Sequence, residues 1–100
     1  MGFLDFFGNK KKKIADFQSR NAIVLDVRTK KEYNRGAIPN SKHIPLDILS
    51  TKISEVKNWN KPVITCCESG GRSAMAARLL RTNGVEVING GGWNSLLKKM

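Results

Sequence analysis

Two short stretches of this chain, Ala22-Ile23-Val24-Leu25 and Pro62-Val63-Ile64-Thr65-Cys66, are apolar or β-branched at nearly every position. A strand with one wet face alternates in polarity; a strand without alternation is covered on both faces. The intervening chain carries the helical signal that such cover requires. Residues 12–19 set Ile14 and Phe17 at helical spacing, and residues 51–57 do the same with Ile53 and Val56. The clearest helix runs over 73–83, where Ala76, Leu79 and Leu80, with Ala77 or Asn83, form one stripe. Arg78 and Arg81 point away from it and Gly84 supplies the stop. Thr29-Lys30-Lys31-Glu32 fits a capping box opening a two-turn helix that Gly36 ends. Lys42-His43-Ile44 before Pro45 and Val85-Glu86-Val87-Ile88 read as further strands, and residues 93–99 as a closing helix. Strands separated by helices predict an α/β sandwich with a mostly parallel sheet, whose ligands sit beyond the carboxyl ends of the strands.

A chain of 100 residues, 40% hydrophobic and 26% charged, supports one modest core. The expected division is an aromatic and basic extension, residues 1–13, followed by a domain over 14–100. Eighteen Lys and Arg against eight Asp and Glu give +10, with four of those charges in the run Lys10–Lys13. Such a surface attracts anions. The charges are spread over several elements without a recognition motif or aromatic interleaving, so no nucleic-acid partner is expected. Phe3, Leu4, Phe6 and Phe7 beside the lysines have the composition of a bilayer contact, but a frayed or docked end is the simpler reading and membrane contact is not expected. No stretch approaches the roughly 18 apolar residues of a span, the terminal charge order reverses that of a signal peptide, and Phe6 breaks the myristoylation motif at Gly2. One histidine and two cysteines cannot build a four-ligand zinc site, so no metal is expected. Adjacent Cys66 and Cys67 cannot staple distant parts of a fold, which points to a reducing, cytoplasmic setting.

One connection has the composition to carry chemistry. Residues 66–73 read Cys-Cys-Glu-Ser-Gly-Gly-Arg-Ser between an apolar strand and an amphipathic helix. Gly70 and Gly71 let the backbone curve so that successive amides point inward, and the helix behind adds free N–H groups and its positive dipole end. That is an anion cradle. A cysteine at its base has its thiolate stabilised and its pKa brought below the ordinary value of about 8.5. Strand alternation separates the two thiols: with Cys66 closing the strand and packing on the sheet, Cys67 opens the loop.

The sequence resembles the rhodanese-like domains, single-domain sulfurtransferases, from about residue 14 to 97. Cys67-Glu68-Ser69-Gly70-Gly71-Arg72-Ser73 is similar to that family's C-x-x-G-x-R-S loop. Leu25-Asp26-Val27-Arg28 with Glu32-Tyr33, then Gly36-Ala37-Ile38-Pro39-Asn40 and His43-Ile44-Pro45-Leu46, resemble its upstream segment, and Gly90-Gly91 with Trp93 its closing one. The resemblance implies a three-layer sandwich and a persulfide formed on Cys67. Glu68, Ser69, Gly70, Gly71, Arg72 and Ser73 bind the sulfur donor, chiefly through amides. Cyanide or a thiol takes the sulfur away, in a cycle that uses no cofactor. The donor is a small anion such as thiosulfate, a polysulfide or a persulfide, or else a protein partner. Arg72 either steers that donor or ties the loop to a carboxylate such as Asp26. Asp26 and Arg28 are expected to pin loops together, His43 is not expected to act as a base, and Trp59 and Trp93 are packing or lip residues.

Two alternatives remain. Cys66, five residues, then Arg72 and Ser73 fits the cysteine-phosphatase signature, which would make Cys66 the nucleophile. A binding or sulfur-relay module without rapid turnover is the other. Glu68 beside the nucleophile disfavours a thiolate and repels doubly charged thiosulfate. On that charge argument, Glu68→Lys is expected to raise thiosulfate:cyanide transferase activity at fixed salt, and an unchanged or lower rate would count against it.

Overall fold

The computed structural model describes residues 3–100, with side chains from Asn9 onward, so Gly2 and the side chains of Phe3, Leu4, Phe6 and Phe7 lie outside the described residues. Helix α1 (Phe3–Ser19) is continuous across the point where the extension was expected to end. It leads into β1 (Ile23–Asp26), α2 (Lys30–Asn34), β2 (Lys42–His43), α3 (Leu46–Leu49), a single 3-10 turn (Ser50–Lys52), α4 (Ile53–Asn58), β3 (Val63–Cys67), α5 (Gly71–Thr82), β4 (Val87–Gly92) and α6 (Trp93–Lys99). The four strands lie in the order β2-β1-β3-β4, and every described pairing is parallel.

Alternation along the strands feeds two apolar layers. Leu25, Val63 and Cys67 face one way and pack with Leu49, Val56, Ala76, Ala77 and Leu80 from α3, α4 and α5. Val24, Ile64 and Cys66 face the other way and pack with Ile14, Phe17 and Leu96 from α1 and α6. This explains the missing alternation in β1 and β3, whose side chains meet helices on both sides.

Boundaries moved where local bonds overrode composition. The helix expected over 51–57 starts earlier, because Leu46–Leu49 forms its own turn after Pro45. The last strand begins at Val87 and runs to Gly92, since Val85 is occupied in closing α5 through a bond to Leu80 O at 3.0 Å. Helix α5 starts two residues early, at Gly71, and buries Ser73, Ala76, Ala77 and Leu80. Of the lysine run, Lys11 to Lys13 are exposed as a solvated face, whereas Lys10 is half-buried. No helix among the described residues is long and apolar enough to cross a membrane.

Strand β4 carries one extra residue opposite β3: Thr65 pairs with Asn89 but Cys67 pairs with Gly92. Such a bulge re-aims the strand end, and here glycines make it fit. Gly90 sits so tightly that an added Cβ would stand 2.7 Å from Ile64 Cγ2 and 2.8 Å from both Leu96 Cδ2 and the Thr65 carbonyl oxygen. Gly90→Ala is therefore expected to destabilise the fold by about 1–3 kcal/mol, the usual cost of overpacking. Urea unfolding should show this as a lower midpoint at unchanged slope; an unchanged midpoint would show that β4 can yield.

Candidate active site

The loop after β3 is shaped by its own amides. Gly70 takes φ 108°, a left-handed conformation open chiefly to glycine, and turns the chain into α5. The Gly70 and Ser73 N–H groups then donate to Cys67 Sγ at 3.0 and 3.4 Å. Gly92 lets the loop sit close, since a Cβ there would come within 2.7 Å of the Glu68 carbonyl oxygen. Burial pushes the Cys67 thiol up, but the Ser73 hydroxyl, able to donate to the ionised sulfur, and the Ser73, Gly70 and Ser69 amides outweigh it, and the net shift is below the ordinary value.

Cys66 is the opposite case. It is fully buried in the layer of Ile14, Phe17 and Leu96, on the other side of the sheet from the cradle. Burial, seconded by the charge of Asp26, drives its thiol far upward. Both cysteines are free. The alternation expected from sequence holds, although β3 extends one residue further and includes Cys67.

Arg28 organises the other wall. Its backbone N–H and Nε donate to Asp26 Oδ1, both at 3.0 Å, and one terminal nitrogen reaches Asp26 Oδ2 at 2.8 Å. The remaining donors reach Gly36 O at 2.7 Å, Glu32 O at 3.2 Å and Glu68 Oε1 at 2.9 Å. Burial would lower the Arg28 pKa, but its bonds to Asp26 and Glu68 hold it above the usual range. Trp93 lies over the guanidinium, 4.8 Å from Arg28 Cζ to the ring centre, so its role here is packing. The Glu68 carboxylate is therefore bound to a cation, and Glu68→Lys would set an ammonium against Arg28.

Arg72 is tied to a carboxylate, but that carboxylate is Glu32 and not Asp26. Its two terminal nitrogens meet Glu32 Oε1 and Oε2 at 2.7 and 2.9 Å. Asp26 cannot serve because Arg28 already occupies both of its oxygens. The Arg72 bond, followed by the Thr29 amide of the capping box, holds the Glu32 carboxyl well below the usual range. His43 is also engaged: Nε2 meets Arg28 O at 2.7 Å, which makes it the protonated nitrogen, and the ring stacks on Tyr33 at 4.3 Å.

Sequence reasoning missed Asn89. Its Oδ1 accepts from Ser73 Oγ at 2.6 Å and from the Gly91 amide at 2.9 Å, and its Nδ2 donates to Gly70 O at 3.3 Å. A polar residue just ahead of the three glycines 90–92 was the available signal.

The contrast between the thiols is testable at once. Brief exposure to iodoacetamide near pH 7.5 is expected to label Cys67 and leave Cys66 intact. The Cys67 rate should rise with pH and level off below the range of an ordinary thiol, because only the thiolate reacts. Peptide mass analysis with label on Cys66 would contradict the assignment.

The profile of the Rhodanese-like domain family matches residues 10–99. The chain is 40% identical over 80 residues to the putative sulfur carrier protein YrkF of Bacillus subtilis, covering 79% of this chain and 42% of that protein. It is 29% identical over 66 residues to a sulfurtransferase of Allochromatium vinosum, covering 66% and 61%. Among solved structures, a rhodanese-related protein from Thermoplasma volcanium superposes with TM-score 0.72 at 31% identity, covering 86% of this chain and 88% of that one. A human single-domain sulfurtransferase superposes with TM-score 0.66 at 26% identity, covering 83% and 86%. With the parallel sheet and the loop after β3 in the arrangement described, the chain belongs to the rhodanese-like domain family.

Proposed function

We propose that this chain is a sulfurtransferase that carries a sulfane sulfur on Cys67. The observation that supports it best is the difference between the thiols: Cys67 Sγ receives the Gly70 and Ser73 amides, whereas Cys66 is sealed in an apolar layer. A thiolate at Cys67 attacks the outer sulfur of the donor, and the donor's S–S bond breaks with its electron pair leaving on sulfite or a thiolate. Cys67 then holds a persulfide. The acceptor, cyanide or a thiol, attacks the terminal sulfur and Cys67 leaves as thiolate, so the cycle needs no outside oxidant or cofactor. The amides of the loop stabilise the charge on sulfur at each stage.

The transferring unit is residues 14–100, with 1–13 an extension whose residues from Phe3 onward share α1 with it. Its partners are a small anionic donor or a protein persulfide, and the free adjacent thiols fit the cytoplasm. Arg72 and Arg28, held by Glu32 and Glu68, act here on loop shape more than on donor capture. Because Glu68 is paired, Glu68→Gln, which keeps an acceptor for Arg28, isolates the charge effect on thiosulfate better than Glu68→Lys.

A carrier role is the second reading. It is favoured by the similarity to a protein named as a putative sulfur carrier. Mass analysis after exposure to thiosulfate, polysulfide or glutathione persulfide separates these readings. One added sulfur is expected on Cys67, absent in Cys67→Ser, retained in Cys66→Ser and released by cyanide as thiocyanate over many turnovers. Loading without turnover would make it a carrier. Phosphate ester hydrolysis that depends on Cys66 would overturn both.

A further inference from the structure

Asn89 on β4 is fixed from both ends of its amide. The Gly91 N–H requires an acceptor 2.9 Å away, so that position is Oδ1, and the Gly70 carbonyl requires a donor, so the group 3.3 Å from it is Nδ2. Ser73 Oγ lies 3.1 Å from the Gly70 carbonyl oxygen, a second acceptor for its proton, and 2.6 Å from Asn89 Oδ1, the shorter contact. An amide oxygen has no proton, so Ser73 supplies it. The same hydroxyl is 3.3 Å from Cys67 Sγ, and in the thiol form the chain of bonds runs one way: Cys67 S–H to Ser73 Oγ, Ser73 O–H to Asn89 Oδ1. Once the thiol gives its proton to solvent, the sulfur needs donors. The Ser73 hydroxyl can serve it only by turning away from Asn89.

We propose that Asn89 is a positioning residue for Cys67, holding the single hydroxyl proton of Ser73 and so restraining ionisation of the thiol until that proton swings to sulfur. The swing leaves no orphan, since Asn89 Oδ1 keeps the Gly91 N–H. The charge-assisted bond to the thiolate is the stronger one, so the restraint delays ionisation without preventing it. The proposal rests on Cys67 as the nucleophile, but not on which donor it meets.

Most charged groups around the cradle are paired elsewhere, while Lys10, Lys13 and Arg81 border a cavity together with Asn89. Glu68 is paired with Arg28, Arg72 with Glu32, and Asp26 with Arg28. From α1, Lys10 Nζ lies 3.6 Å from where a Cβ on Gly91 would stand. Among the described residues none of these has a hydrogen bond to Ser73 Oγ or to the Asn89 side chain, so each acts alike on the parent protein and on variants at position 89.

The test is the pH dependence of Cys67 alkylation by iodoacetamide on the full chain, read by peptide mass. Asn89→Leu, or the smaller Asn89→Ala should the leucine disturb folding, is expected to lower the apparent pKa. At a pH below the parent's value this gives about three- to tenfold more reactive thiolate, the net worth of one hydrogen bond. In a Ser73→Ala background the same substitution is expected to shift nothing. An unchanged or raised pKa in the first background, or a shift more than half as large in the second, overturns the proposal. Because no sulfur transfer is measured, this result and that of the persulfide test fail or stand separately.

Discussion

The guanidinium of Arg28 is almost wholly out of water, and its donors are met by Asp26, the carbonyls of Glu32 and Gly36, and the carboxylate of Glu68. A buried charge is tolerable only when its partners are this complete; removing one typically costs about 3–5 kcal/mol because the remaining group is stranded. What the network gains is register. Arg28 sits just after β1, holds the end of that strand through Asp26, fixes the turn at Gly36 and catches Glu68, the residue after Cys67. Trp93 closes over it from the start of α6. Four separate parts of the chain are thus referred to one planar cation, and the loop that bears Cys67 is among them.

A formal +10 says that anions are attracted, whereas the loop is shaped by two particular pairs. Glu68 and Arg72, near the two ends of the loop, each bind a partner from the β1-α2 segment. Neither charge stands free in the cradle. Stabilisation of sulfur is left to backbone N–H groups and one hydroxyl, none of which adds net charge; the N–H groups already point at the sulfur, and only the hydroxyl turns when the thiolate forms.

Much of this was legible in the sequence. The unalternating runs of β1 and β3 gave the parallel sheet and its two covering layers, and the alternation between Cys66 and Cys67 gave the separation of the thiols, because both follow from local periodicity. The capping box at Thr29 was legible for the same reason. The partner of Arg72 was not. Asp26 and Glu32 are both carboxylates in the right half of the chain, and choosing between them requires knowing that Arg28 has already filled both oxygens of Asp26. The partners of Asn89 were not legible for a related reason: they depend on the extra residue in β4, and a bulge is a property of two strands together. The early start of α5 likewise depends on Gly70, whose left-handed φ turns the chain into the helix, and not on the apolar stripe.

Each of the two ion pairs that brace the loop joins residues 40 positions apart. Neither can form until β1-α2 has docked beside β3-α5, so the cradle is among the last features a folding chain can complete. Before that point the two cysteines are neighbours in an ordinary peptide, with ordinary and equal acidity. The difference between them arises on folding: one thiol is sealed beneath α1 and α6, and the other receives the amides of its own loop.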